Sequence, residues 1–165
     1  MPDLNDAVET KADAAQELAS DLAEAIDERG WTVGTAESLT GGTIATLLAA
    51  APGAGEWFRG SVVAYSPDVK FDLLGVDPGP VVTEDCARTM ARSASRLLDA
   101  DLVVSVTGVG GPEPDEGKPA GTAWFALVTP DAEHAEEARF DGDPPEVVTA
   151  STEHALRLLL EAARG

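Results

Sequence analysis

Three loops of this 165-residue chain combine hydroxyl, amine and glycine residues in patterns that could support chemistry. In the first loop, TAESLTGG, Ser38 is followed by Thr40, Gly41 and Gly42 at the start of a predicted helix. A hydroxyl group beside the free N–H groups of a helix N-terminus could help bind a phosphate or stabilise an oxyanion. The alternative is that Ser38 or Thr40 only caps the helix, a common role for both residue types.

The second loop, AYSPDVK, contains Tyr65, Ser66 and Lys70. A lysine in the first turn of a helix opposes the helix dipole, which favours the neutral amine. A neutral lysine near a serine is a competent general base, as in the Ser-Lys variants of serine catalysis. The alternative is a surface lysine on an amphipathic helix. Lysine is scarce here, with three lysines against eight arginines, and this scarcity weakens that alternative.

The third loop, Gly108 to Gly121, is rich in glycine and proline and lacks the spacing of a P-loop. Its glycines could let backbone amides line a ligand, and the alternative is a plain surface loop. His134 and His154 stand in unrelated segments without metal-ligand spacing, and Cys86 has the character of a small packing residue. The sequence therefore predicts no metal site.

Strands and helices alternate along the chain, which predicts an α/β fold: a three-layer α/β/α sandwich with a mixed, mostly parallel sheet. The last two strands have no helix between them, so this part of the sheet is predicted to be antiparallel. Sites in such sheets form at the carboxyl ends of strands, and the three loops follow the first three predicted strands. The predicted strands are Thr32–Glu37, Ser61–Tyr65, Asp101–Thr107, Ala123–Val128 and Glu136–Phe140.

Helices are predicted between these strands and at both ends of the chain. Residues 1–13 are interpreted as an acidic N-terminal extension, either frayed or a solvated start of the first helix, and residues 14–165 as a single domain. The predicted helices run from Ala14 to Arg29, from Gly41 to Ala51, from Pro67 through Leu74, from Glu84 to Leu98 and from Pro144 to Ala163.

The composition excludes several classes of partner. A net charge of −19 argues against binding nucleic acid or an anionic membrane through a basic surface. The single cysteine cannot form an intramolecular disulfide, and no segment has the pattern of a signal peptide or a membrane span, so we expect a cytoplasmic protein. Abundant acidic residues with little lysine are also what we expect of a protein adapted to a high-salt cytoplasm.

Taken together, these segments resemble the C-terminal domain family of the competence/damage-inducible protein CinA, which includes stand-alone nicotinamide-nucleotide amidases of the PncC type. The similarity covers about Val33 to Leu127, in the family's order and spacing. It is carried by the segments TAESLTGG, PGAGEWFRGSVVAYSPDVK, LLGV, VTEDCARTMA, ADLVVSVTGVGGP and KPAGTAWFAL.

The resemblance implies hydrolysis of the carboxamide of nicotinamide mononucleotide, without a metal or a cofactor. It implies Ser38 as the nucleophile and Lys70 as its base, with Tyr65 and Thr107 around the substrate. We expect amides near Thr40 to Gly42 to hold the oxyanion and Gly108 to line the same site. The family also suggests a homo-oligomer, a dimer or higher.

Four positions depart from the family pattern. Leu39 replaces a smaller residue, Pro67 replaces the usual Asn, and Ala54-Gly55 replaces a serine-bearing turn. The late GDR element reads Gly142-Asp143-Pro144, so an arginine that could pair with a phosphate is missing, although Arg139 could substitute. These departures leave a second hypothesis open: a nucleotide-binding module of the same fold with weak or no turnover.

Overall fold

The computed structural model describes the backbone of residues 4–165 and the side chains of residues 11–165. In this part of the chain, five strands form one sheet in the order β2-β1-β3-β4-β5, in which the numbers follow the chain. The strands are β1 (Val33–Glu37), β2 (Phe58–Val63), β3 (Leu102–Gly108), β4 (Thr122–Val128) and β5 (Glu133–Arg139).

The sheet is mixed, as predicted. β1 pairs in parallel with β2 on one side and with β3 on the other, while β4 is antiparallel to both of its neighbours, β3 and β5. Parallel and antiparallel pairs are therefore equal in number, although four of the five strands run in the same direction. The prediction that the last two strands pair antiparallel is confirmed.

Helices cover both faces of the sheet and complete the three layers. One hydrophobic cluster joins the sheet to α1, α2 and α6, and a second joins the opposite face to α4 and α5. β3 lies between the two clusters, which explains its nearly continuous run of buried residues. The helices are α1 (Leu4–Arg29), α2 (Thr43–Ala50), α3 (Ala54–Trp57), α4 (Pro67–Leu74), α5 (Glu84–Leu98) and α6 (Pro144–Arg164).

Local sequence signals explain where two of the helices begin. The Thr83 hydroxyl accepts a hydrogen bond from the Cys86 amide at 3.1 Å, so Thr83 is the N-cap of α5. The Asp143 and Glu146 side chains bond reciprocally to each other's backbone amides and form a capping box at the start of α6. Asp143 therefore has a structural role at the position where the family has its GDR element.

Some boundaries differ from the prediction. β2 begins at Phe58 rather than Ser61, because the Phe58 ring packs on the core and the Arg59 side chain donates to the Leu98 carbonyl at 2.9 Å. β5 begins at Glu133 rather than Glu136, since Glu133 is paired with arginines of α5. A short helix, α3, forms between α2 and β2, where the sequence predicts no helix.

The first helix also begins earlier than predicted. α1 starts at Leu4 and passes through residues 13 and 14 without a break. Residues 4–13 of the predicted extension are therefore helical, while residues 1–3 lie outside the described residues. A division between an extension and a domain at this point remains a prediction.

Candidate active site

The strand order brings the three predicted loops together at one edge of the sheet. β2, β1 and β3 are adjacent and parallel, so the segments that follow them lie side by side at their carboxyl ends. The chain moves from β1 to β2 on one side and later to β3 on the other. The strand order thus reverses at β1, and such a switch point is the common place for a ligand in an open α/β sheet.

Ser38 lies in the middle of this edge. Its amide donates to the Val106 carbonyl at 3.0 Å, so the parallel pairing of β1 and β3 continues one residue beyond β1. The same register places Ser38 between Ala64 and Thr107, at a strand spacing of about 4.8 Å. Ala36 packs on the α4–α5 side of the sheet, and alternation along the strand places Ser38 on that side too.

The Ser38 side chain is nearly buried, with 6% of the residue exposed. Among the described residues, its hydroxyl has no hydrogen-bond partner within bonding distance. The alternative that Ser38 or Thr40 caps α2 is wrong. The N-cap residue of α2 is Gly42, which has no side chain that could accept a hydrogen bond from the helix.

Glu37, which the sequence analysis did not select, organises the start of α2. Its fully buried carboxylate accepts hydrogen bonds from the amides of Gly42, Ile44 and Ala45 at 2.9–3.2 Å. It also accepts a bond from the Thr40 hydroxyl at 2.8 Å. The Glu37 carboxylate therefore occupies the N-terminus of α2, where an oxyanion was predicted to bind.

Two of the three amides that were predicted to hold the oxyanion have acceptors within the chain. The Gly42 amide donates to Glu37, and the Gly41 amide donates to the Ser38 carbonyl at 3.0 Å. Within the described part of the chain, the amides of Leu39 and Thr40 have no acceptor. These two amides adjoin Ser38, so they are the donors that remain for an oxyanion.

Lys70 is buried, contrary to the alternative of a surface lysine. It is 1% exposed, and its amine donates to the Tyr65 carbonyl at 3.2 Å. Burial lowers the pKa of Lys70 below its ordinary value, and the neighbouring Cys86 thiol and Glu116 carboxylate partly oppose this effect. The neutral amine required of a general base is thus favoured mainly by desolvation, rather than by the helix dipole that the position of Lys70 in the sequence suggests.

Tyr65 contributes its backbone rather than its phenol to these contacts. The residue is 71% exposed, while its carbonyl oxygen holds the Lys70 amine. The structure therefore does not bring the Tyr65 ring into the buried group of Ser38, Lys70 and Thr107. A catalytic role for the phenol remains a prediction.

Thr107 and Cys86 lie beside Lys70 on the α4–α5 side of the sheet. The Thr107 hydroxyl donates to the Val81 carbonyl at 2.8 Å. Burial raises the pKa of the Cys86 thiol to about 11, although the nearby Lys70 amine and Thr107 hydroxyl act in the opposite direction. Cys86 is thus a packing residue, as predicted, and its position in the sequence gave no signal of its influence on the pKa of the candidate base.

Gly108 has a structural reason to be glycine. A Cβ atom at this position would lie 2.6 Å from the Thr122 carbonyl oxygen, because β4 approaches β3 closely there. The predicted role of Gly108 in substrate binding stays a prediction, as do those of Thr40, Gly41, Gly42 and Thr107. None of these assignments depends on a metal, and residues 11–165 contain no cluster of three His, Cys, Asp or Glu side chains that could hold one.

The histidines make structural contacts on the other side of the sheet. The Glu136 carboxylate bonds to His134 at 2.8 Å and to His154 at 2.7 Å, and these bonds lower the pKa of Glu136. The His154 ring packs on Phe125 with 4.6 Å between ring centroids. Among the described residues, no helix is long and apolar enough to cross a membrane.

A cavity of about 510 Å³ lies away from Ser38 and Lys70, between α1, α2 and the start of α6. Apolar atoms dominate its wall, which includes Ala15, Leu47 and Thr152. Among residues 11–165, the titratable side chains that line it are Lys11 and Glu146, and Glu146 already belongs to the capping box. We therefore place the candidate chemistry at the sheet edge rather than in this cavity.

Comparison with known proteins gives a consistent result. Residues 15–163 match the model of the CinA C-terminal domain. The chain is 35% identical over 150 residues to the nicotinamide-nucleotide amidohydrolase PncC of Escherichia coli K12, covering 87% of this chain and 91% of that protein. It is 38% identical over 143 residues to a CinA-like protein of Frankia casuarinae, covering 84% of this chain but only 33% of that longer relative.

A solved structure supports the same fold. The crystal structure of a competence-damaged protein (CinA) superfamily protein from Klebsiella pneumoniae superposes with a TM-score of 0.87 at 34% sequence identity. The superposition covers 90% of this chain and 97% of that chain. The three-layer arrangement with its mixed sheet is therefore shared with this relative.

Proposed function

Because this chain belongs to the CinA C-terminal domain family, we propose that it hydrolyses the carboxamide of nicotinamide mononucleotide to nicotinic acid mononucleotide and ammonia. The Escherichia coli relative of similar length is named for this class of reaction. The observation that carries the proposal is a buried lysine at the sheet edge where Ser38 also lies. We further propose that the protein acts in the cytoplasm on this small nucleotide.

In the proposed mechanism, neutral Lys70 removes the Ser38 proton as the hydroxyl oxygen attacks the amide carbonyl carbon. The amides of Leu39 and Thr40 stabilise the negative charge that develops on the carbonyl oxygen. Lys70 then returns the proton to the nitrogen, the C–N bond breaks, and ammonia leaves. Lys70 then deprotonates a water molecule as it attacks the ester carbonyl carbon, and returns this proton to the Ser38 oxygen as the C–O bond breaks and the acid leaves.

The contact between Lys70 and Tyr65 suits this role. A neutral amine has two N–H donors and one lone pair, and the Tyr65 carbonyl can accept only from an N–H. The carbonyl therefore orients the amine without consuming its lone pair. The lone pair stays available for a proton from Ser38.

A binding module without turnover is the second candidate. It is favoured by two observations: the Ser38 hydroxyl is not bonded to Lys70, and Asp143 caps α6 at the position of the family's phosphate-pairing element. Arg139, at the end of β5, is an exposed cation that could meet a phosphate. On this hypothesis the protein binds the nucleotide and releases it unchanged.

Product analysis separates the two candidates. The purified protein is incubated with nicotinamide mononucleotide in molar KCl, and ammonia and the deamidated nucleotide are measured together. If the wild-type protein forms ammonia and the deamidated nucleotide in equal amounts and Lys70→Met forms neither, the amidase is supported. Binding of the nucleotide by calorimetry, with neither product formed, would favour the binding module.

A further inference from the structure

Glu116 connects the glycine-rich loop to the segment between α4 and α5. Its carboxylate accepts from the Val81 amide at 2.8 Å and 3.1 Å and from the Val82 amide at 2.8 Å. The Val81 carbonyl accepts in turn from Thr107 at the end of β3. Both polar groups of the Val81 backbone are therefore bonded to residues that adjoin the candidate site.

The backbone at Glu116 is unusual and supports a specific role for this side chain. Asp115 and Lys118 exchange backbone hydrogen bonds at 3.1 Å and 2.7 Å around Glu116 and Gly117, which have φ angles of 51° and 72°. Two central residues with positive φ define a tight turn that prefers Asn, Asp or Gly. A glutamate in the left-handed region is strained, and such strain persists where the surrounding structure requires it.

Glu116 is also the carboxylate that acts on Lys70. The titratable groups that influence the Lys70 amine are the Cys86 thiol from α5 and the Glu116 carboxylate from the loop. Cys86 is mostly protonated near neutral pH, because burial raises its pKa to about 11. Near neutral pH, Glu116 is therefore the one of these two groups that opposes the effect of burial on the pKa of Lys70.

From this geometry we infer that Glu116 is a positioning residue of the active site: it fixes the 109–121 loop against Val81 and Val82, and Val81 in turn holds the Thr107 hydroxyl. The inference rests on the proposed function for its catalytic meaning. Its two physical consequences, protection of two amides and an electrostatic effect on one amine, do not require turnover.

The test compares Glu116→Gln and Glu116→Ala with Glu113→Gln, which removes an exposed carboxylate from the same loop. Amide hydrogen exchange at Val81 and Val82 should be about tenfold faster in Glu116→Ala, because a charge-assisted hydrogen bond is lost. The Lys70 side-chain ¹³Cε resonance can be followed in a pH titration, since the chain has only three lysines. The titration should move to lower pH in Glu116→Gln, because removing a nearby negative charge disfavours the ammonium form.

In an active enzyme, the acidic limb of the kcat/KM–pH profile should move in the same direction. Exchange rates and a Lys70 titration that match those of Glu113→Gln would overturn the inference. If the wild-type protein releases no ammonia while both physical effects are found, the proposed function fails and the positioning role stands. If Glu116 only holds the loop in place, its replacement should speed amide hydrogen exchange at Val81 and Val82 without changing the pH at which Lys70 titrates.

Discussion

Lys70 is the residue on which the proposed chemistry depends most, and its burial carries a cost in stability. The side chain is 1% exposed, and its described hydrogen bond is to a neutral carbonyl. Desolvation disfavours the ammonium, so the folded protein binds this proton less tightly than the unfolded chain does. Below the ordinary lysine pKa, the unfolded state is favoured by this difference.

Replacing Lys70 with methionine should therefore stabilise the protein while it abolishes turnover. Methionine has a similar length and no charge, and we expect the free energy of unfolding at pH 7 to rise by about 1 kcal/mol. The wild-type protein should gain stability relative to Lys70→Met as the pH rises from 7 towards 10, because the unfolded state loses its advantage in proton binding. Urea unfolding at several pH values measures both effects.

Lys118 provides the matched control, because its side chain is 42% exposed and forms only a long ion pair of 3.8 Å with Glu137. Lys118→Met should leave the unfolding free energy within about 0.5 kcal/mol of the wild-type value. A fall in stability in Lys70→Met at pH 7 would contradict the account of a lysine whose ammonium form is disfavoured by burial.

At the scale of elements, the start of α2 is determined by the end of β1. Glu37 points to the α2 side of the sheet and bonds its first amides, while Ser38, the next residue, lies on the opposite side. Two adjacent residues thus fix a helix and present a hydroxyl. This arrangement holds the turn that contains Leu39 and Thr40.

Glu37→Gln should lower both stability and catalytic rate. The glutamine NH₂ group would face amide donors, leaving buried groups without partners, and we expect a loss of about 3 kcal/mol in the free energy of unfolding. The displaced turn should lower kcat more than it raises KM, because the oxyanion donors act in the transition state. Thermal unfolding and steady-state kinetics measure these changes.

Glu56 offers the comparison, as an exposed glutamate in the first turn of α3. Glu56→Gln should measurably change neither the free energy of unfolding nor kcat. Normal kcat in a folded Glu37→Gln variant would show that the α2 start does not position the oxyanion donors.

The elements were largely predictable from the sequence, whereas the contacts within the site were not. Hydrophobic periodicity and caps such as Thr83 identified five strands and the longer helices, because these signals are local. Glu37 was missed because it precedes the first residue of α2 by six positions, outside the usual capping pattern. Glu116 and Cys86 meet Lys70 only through long-range folding, which no local spacing encodes.

At the scale of the whole molecule, the net charge of −19 should make both folding and substrate binding depend on salt. The described ion pairs neutralise few of the carboxylates, and the remaining charges repel one another and an anionic phosphate. In 1 M salt the screening length is about 3 Å, so most of this repulsion disappears. Adaptation to a high-salt cytoplasm remains a prediction.

The melting temperature should rise with KCl up to molar concentrations, and KM for nicotinamide mononucleotide should fall. Nicotinamide riboside, which lacks the phosphate, should show a much weaker dependence of KM on salt. Sucrose at matched osmolality controls for effects other than charge screening. A KM that is independent of KCl would contradict a role for net charge in substrate binding.

The surface also bears on the predicted homo-oligomer, which remains a prediction. Several apolar or aromatic side chains are exposed: Val63 at the end of the edge strand β2, Tyr65 in the segment that follows it, Leu73 of α4 and Leu97 of α5. Leu73 and Leu97 line the same shallow depression. Light scattering during size-exclusion chromatography should give a mass above the 17.0 kDa of one chain, and a monomer at all concentrations would contradict the prediction.

The central claim is that Ser38 is the nucleophile of a nicotinamide mononucleotide amidase. Its most direct test is the rate of ammonia release by wild-type protein and by Ser38→Ala in molar KCl. We predict steady release by the wild type and a loss of at least about 10³-fold in Ser38→Ala, as expected when a catalytic nucleophile is removed. Ammonia release by folded Ser38→Ala at the wild-type rate would contradict the claim.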